Sequence, residues 1–116
     1  MFVIYLLFLH FLADFVCQSN WMAINKSKSD FALSVHVITY TSVLAFGLLL
    51  VSFTNNMSIY LMFNAFCHFI TDFFTSRLNS KLWAKENKHW FFVGIGFDQF
   101  IHAATLISSA ILLGII

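Results

Sequence analysis

His10-Phe11-Leu12-Ala13-Asp14-Phe15 sets a histidine and a carboxylate four residues apart inside an apolar run, and His68-Phe69-Ile70-Thr71-Asp72-Phe73 does so again. On a helix, positions four apart share a face, one turn above the other. Each copy therefore points two ionisable groups the same way from an otherwise greasy helix. Groups of this kind are tolerated in apolar surroundings when they meet partners.

The surroundings are those of a membrane protein. The chain of 116 residues is 60% hydrophobic and 9% charged, with 16 phenylalanines and no proline. A soluble domain carries about 25% charged residues. So short a chain has too little interior to hide this much apolar surface from water. A net charge of +1 provides no basic field for nucleic acid, which is excluded as a partner. Cys17 and Cys67 have neither metal-ligand spacing nor the density of a disulfide scaffold, and read as reduced packing residues. The N-terminal run lacks the basic start and small-residue cleavage site of a signal peptide, and reads as a transmembrane helix.

Four apolar runs predict helices over about 2–18, 31–53, 57–77 and 89–116, in one integral membrane domain over 1–116. Asp30 is the expected N-cap of the second helix. Every Lys and Arg falls in or beside the connections 19–30 and 78–88. The positive-inside rule puts both connections in the cytoplasm and both termini outside, in the inner (plasma) membrane of a cell. Trp21, Trp83 and Trp90 then lie near the cytoplasmic boundary and Tyr5 and Tyr60 near the outer one, as aromatic belts require. Lys26 and Lys28 read as headgroup anchors, or as a rim that guides an anionic substrate or lipid phosphate. Gly47, Gly94, Gly96 and Gly114 are positions for close helix approach.

The two His-Phe-x-x-Asp-Phe copies are offset by 58 residues. A weaker match relates His36-Val37-Ile38-Thr39 to His102-Ala103-Ala104-Thr105, offset by 66. The fold expected is all-α, a four-helix transmembrane bundle of two similar helical hairpins, a parallel repeat about an axis along the membrane normal.

Seven ionisable residues fall inside these spans: His10, Asp14, His36, His68, Asp72, Asp98 and His102. Each aspartate costs roughly 2.5–3.5 kcal/mol at mid-helix on insertion scales. Counted from the cytoplasmic ends at 1.5 Å per residue, six of them fall in a slab roughly 6–8 Å thick. Asp98 and His102 reverse the order of the other two pairs, as an antiparallel helix must if like residues are to meet. All four helices thus contribute to one interior site. Imidazole and carboxylate together suit a divalent metal, zinc or another transition metal, as cofactor. The seven suffice for one ion with oriented supporting groups, or for two. His10, His68 and His102 are the preferred ligands, His36 a further one, and Asp14, Asp72 or Asp98 serve as ligand or catalytic base of a metal-dependent hydrolase. Gln18, Gln99, Asn64, Thr71 and Thr75 are candidate hydrogen-bond partners of the site. Tyr40 reads as packing and His89 as an interfacial residue. Two other classes stay open. One is a proton- or cation-conducting transporter or channel subunit, working as a homo-oligomer. The other is a phage accessory protein that binds a host membrane protein, its cluster a purely structural network.

The chain resembles, over close to its full length, a family of small phage-borne and bacterial membrane proteins, domain of unknown function 3307. The resemblance rests on His10-Phe11-Leu12-Ala13-Asp14-Phe15 with Gln18, Trp21-Met22-Ala23 with Asn25-Lys26-Ser27-Lys28, and His36 with Tyr40. It continues through His68-Phe69-Ile70-Thr71-Asp72 with Ser76-Arg77 and His89-Trp90-Phe91 with Asp98-Gln99-x-x-His102. It implies a multi-pass membrane protein and carries no activity. A looser similarity, in polar chemistry alone, is to small membrane-bound metal-dependent hydrolases.

Overall fold

The computed structural model describes residues 1–51 and 53–116, and all of its regular structure is helical. Helix α1, Phe2–Phe11, continues into a π-helical turn, Leu12–Val16. A short α2, Asn20–Asn25, precedes three long helices: α3, Asp30–Leu49; α4, Met57–Ala84; and α5, Lys88–Leu112. Helix α1 packs on α3 and α5, and α4 packs on α3 and α5, so the four main helices close a ring. The molecule is 46 × 25 × 20 Å.

Helices α3, α4 and α5 are each long and apolar enough to cross a membrane, whereas the apolar segment Phe2–Val16 is shorter. At 1.5 Å per residue that segment spans about 22 Å, against a hydrocarbon core of about 30 Å. The exterior is apolar: Phe46, Phe66, Phe74, Phe97 and Phe100 all face outward. The buried set, by contrast, includes His10, Asp14, His36, His68, Asp72 and His102. Large exposed apolar surfaces of this kind mark contact with lipid or protein.

The helix ends refine the sequence reading. Ser29, not Asp30, caps α3: its Oγ accepts the Ala32 N–H at 3.3 Å. Asp30 instead sits in the first turn and pairs with Arg77 at 2.6 Å. The expected end of this helix at Phe53 runs past Ser52, which lies outside the described residues; the helix stops at Leu49. Helix α4 runs seven residues beyond the expected Arg77, to Ala84. Its end is a Schellman turn, with Asn87 N–H donating to Leu82 O and Glu86 N–H to Trp83 O, and Glu86 at φ 57°. Lys81 sits in the last turn of this helix without interrupting it, and Lys85 is its C-cap.

Two glycines make the close approaches expected of them. A Cβ at Gly47 would strike the Leu9 side chain, and one at Gly94 the Asn79 amide oxygen. Gly96 faces open space, and Gly114 does too, at φ 69°, closing α5 in a second Schellman turn.

One half of the bundle interior is apolar, built on Leu6, Leu9, Leu44, Leu48, Tyr60 and Leu106. It is the half away from the basic connections. The polar residues occupy the other half.

Candidate metal centre

The π-helical turn brings Asp14 inward. Cys17 N–H bonds to Leu12 O, five residues back, at 2.8 Å. Such turns recur at functional sites because the extra residue re-aims a side chain. Here the turn loosens the first His/Asp pair. His10 Nε2 lies 3.8 Å from Asp14 Oδ2, whereas its repeat on the regular helix α4, His68 Nε2 to Asp72 Oδ2, is 3.4 Å.

All seven residues singled out in the sequence join one network, at whose centre four atoms converge. His36 Nε2 lies 3.1 Å from His68 Nε2, 3.1 Å from Asp14 Oδ1 and 3.3 Å from Asp72 Oδ2. His68 Nε2 lies 3.5 Å from Asp14 Oδ1 and 3.4 Å from Asp72 Oδ2. Donors held about 2.0–2.1 Å from a tetrahedral ion stand about 3.3–3.4 Å apart. Five edges of the group thus match a tetrahedral cation site. All four side chains are buried.

His10 stands outside this group. Gln99 donates its amide N–H to Asp14 Oδ2 at 2.9 Å and to Asp98 Oδ2 at 3.1 Å. Its Oε1 is thereby turned to His10 Nε2, which donates to it at 2.8 Å, and Tyr40 OH donates to His10 Nδ1 at 3.1 Å. With both ring nitrogens engaged, His10 has no lone pair to give. The tyrosine read as packing is part of the site. His102 lies on the far side of Asp72, its Nε2 3.4 Å from Asp72 Oδ1. Asp98 accepts the Thr75 hydroxyl at 2.5 Å. Asn64 lies off the site, bonded to Tyr60 O and Ser109, and Thr71 serves α4 through its carbonyl.

Lys26, expected at the membrane surface, reaches the site instead. Its ammonium donates to Asp72 Oδ2 at 3.0 Å. Helix α2, capped by Ser19, lies against α3 and delivers it there. No periodicity marks a six-residue helix within a polar loop, so only the fold reveals this contact.

A cleft of about 790 Å³ leads to the cluster. Asp14, Asp72, Asp98 and Gln99 are among its polar wall, Phe15, Trp83, Phe91 and Phe92 among its apolar wall, and Lys26 and Lys28 come from the basic connection. Gln18 Oε1, Ser76 Oγ and Asn79 Oδ1, all on cleft-lining residues, are buried without a hydrogen-bond partner among the described residues. His89 is exposed, apart from the site.

The model of the family described as protein of unknown function (DUF3307) matches residues 2–115. No curated protein and no solved structure matches the chain. With essentially the whole length covered, the two His-Phe-x-x-Asp-Phe helices and the cluster they build belong to a member of the DUF3307 family of unknown function.

Proposed function

We propose that this chain is a four-helix integral membrane protein that binds a divalent cation, zinc by its ligand set, and uses it to hydrolyse an anionic substrate at the cytoplasmic side of the membrane. The observation that carries the reading is the convergence of two imidazole nitrogens and two carboxylate oxygens at 3.1–3.5 Å. Two carboxylates and two neutral imidazoles turned on one point form an acceptor-lined cage, which a cation satisfies. His36, His68, Asp14 and Asp72 hold the ion. When bound, it supplies a Lewis acid and lowers the pKa of water to about 7. Asp98, oriented by Thr75 and Gln99, stands on the cleft wall beside these ligands. Lys26 and Lys28 favour an anionic substrate, a phosphate ester of a lipid being one within reach of the membrane surface. The basic connections favour the cytoplasm for the cleft mouth.

The cleft that reaches the cluster is lined by residues of the basic connection 19–30. Conduction through a single chain would have to pass the apolar layer of Leu6, Leu9, Leu44, Leu48, Tyr60 and Leu106. That layer favours a binding site over a path.

The test is the metal content of detergent-purified protein. At least one zinc per chain is expected, and at least tenfold less in His68→Ala. Wild-type protein that takes up no zinc, manganese or cobalt on titration overturns the reading. Reconstituted, zinc-loaded protein is expected to release inorganic phosphate from vesicles containing phosphatidic acid, a phosphomonoester whose P–O bond water cleaves to leave the diacylglycerol alcohol. No release removes the hydrolase and leaves the metal site.

Lys26→Met gives a second check. An ammonium 3.0 Å from Asp72 Oδ2 competes with the cation for that oxygen. The variant is expected to bind zinc roughly tenfold tighter, about 1.4 kcal/mol, in competition with a chromophoric chelator. Weaker binding would instead make Lys26 a support of the site.

A further inference from the structure

The proposed ion leaves half of each central carboxylate unused. Asp14 and Asp72 turn Oδ1 and Oδ2, respectively, toward the His36/His68 pair. Their other oxygens face Gln99 and His102. His102 is informative because its tautomer is fixed. Its Nδ1 lies 2.8 Å from the Asp98 backbone carbonyl, which can only accept, so Nδ1 carries the proton. In the neutral ring Nε2 is then a lone pair. That atom is buried without a hydrogen-bond partner among the described residues, in a residue 3% exposed, and faces an anionic oxygen at 3.4 Å. A ring N–H held by a backbone carbonyl, with the opposite nitrogen presented inward, is the usual posture of a metal-ligating histidine. Asp14, Asp98 and His102 each offer a ligand atom within 4.8 Å of the others.

The internal repeat points to the same place. Exchanging the halves relates His36, Asp14 and His68 to His102, Asp72 and His10. The distances follow: His36 to Asp14 is 3.1 Å and His102 to Asp72 is 3.4 Å. The rings of His36 and His68 are 5.1 Å apart, and those of His102 and His10 are 5.7 Å apart. The second half-site differs where Tyr40 and Gln99 engage His10, and there Asp98 stands in. Leu106, Leu33 and Ala32 occupy the repeat positions of Tyr40, Gln99 and Asp98.

We propose that a second divalent cation binds between His102 Nε2 and Asp72 Oδ1, with Asp14 and Asp98 completing its ligands and Asp14 and Asp72 bridging the two ions. This rests on the first position being a cation site. Paired ions of this kind stand about 3.5–4 Å apart and clamp the attacking and leaving oxygens of a displacement. The anionic substrate would then bridge the pair from the cleft.

The experiment is ion counting on detergent-purified wild-type protein reloaded with Zn²⁺, with electron paramagnetic resonance of the Mn²⁺-loaded form. Two zinc ions per chain and an exchange-coupled manganese spectrum are expected. One zinc and the six-line spectrum of isolated Mn²⁺ overturn the second position and leave the first intact. No metal overturns both. His102→Gln is expected to drop the count from two to one. Should that variant fail to fold, Asp98→Asn, which keeps the size of the side chain, is expected to do the same. Two ions retained in a folded variant overturn the ligand assignment.

Discussion

Asp72→Ala is expected to abolish zinc binding and to destabilise the fold by about 3 kcal/mol, the lower end of the range for removing one partner of a buried charged pair. This carboxylate serves four groups. Oδ2 faces His36, His68 and Lys26, and Oδ1 faces His102. Its removal takes one carboxylate from the ion and leaves the Lys26 ammonium without its anionic partner. Lys26 limits the loss, because its side chain is 18% exposed and can turn toward the cleft mouth. Zinc content and unfolding in mixed detergent and dodecyl sulfate measure the two effects. Asp72→Asn separates them: it retains hydrogen bonding and most of the stability but loses the ion. An Asp72→Ala protein that keeps both its ion and its stability would sink the proposed centre.

Much of this site was legible before any fold. The 58-residue repeat, the reversed Asp98/His102 order and the depth estimate bring all seven polar residues into one network. They do so because helical spacing and membrane depth are one-dimensional quantities. Rotation about each helix axis is not. The sequence reading prefers His10 to His36 as a ligand, an order for which spacing alone gives no rotational ground. The ranking depends on Gln99, whose amide is oriented by Asp14 and Asp98 and so fixes the hydrogen bond made by His10. The π-helical turn at Leu12–Val16 and the placement of Lys26 by α2 were hidden for the same reason. Both arise from tertiary contacts on a local sequence that is silent about them.

The element ends show a related limit. Charge density suggested that α4 stops at Arg77, yet it continues to Ala84. Lysines end an apolar span without ending a helix, since Lys is itself a good helix former. The stop comes only at the Schellman turn on Glu86.

Gly47→Ala is expected to cost about 1–3 kcal/mol, the usual range for overpacking a core, and to weaken zinc binding more than tenfold without touching a ligand. Gly47 on α3 lets α1 approach so closely that an added Cβ would strike the Leu9 side chain. The Tyr5 hydroxyl donates to Gly47 O at 2.7 Å and pins the same contact. Leu9 is buried in the apolar layer and cannot swing to lipid without opening a void. The strain therefore moves α1. His10 follows Leu9 directly, and Asp14 lies one turn on, so a shift of α1 carries Asp14 Oδ1 away from His36 at 3.1 Å and His68 at 3.5 Å. Donor sites tolerate little of this, since metal–ligand distances hold to about ±0.2 Å. The coupling has a sharp test. Leu9→Ala in the Gly47→Ala background vacates the space that the new methyl needs, so the double variant should regain zinc affinity relative to Gly47→Ala, though each change alone costs stability. Additive losses in the double variant would mean that α1 is positioned by something other than the Gly47–Leu9 contact.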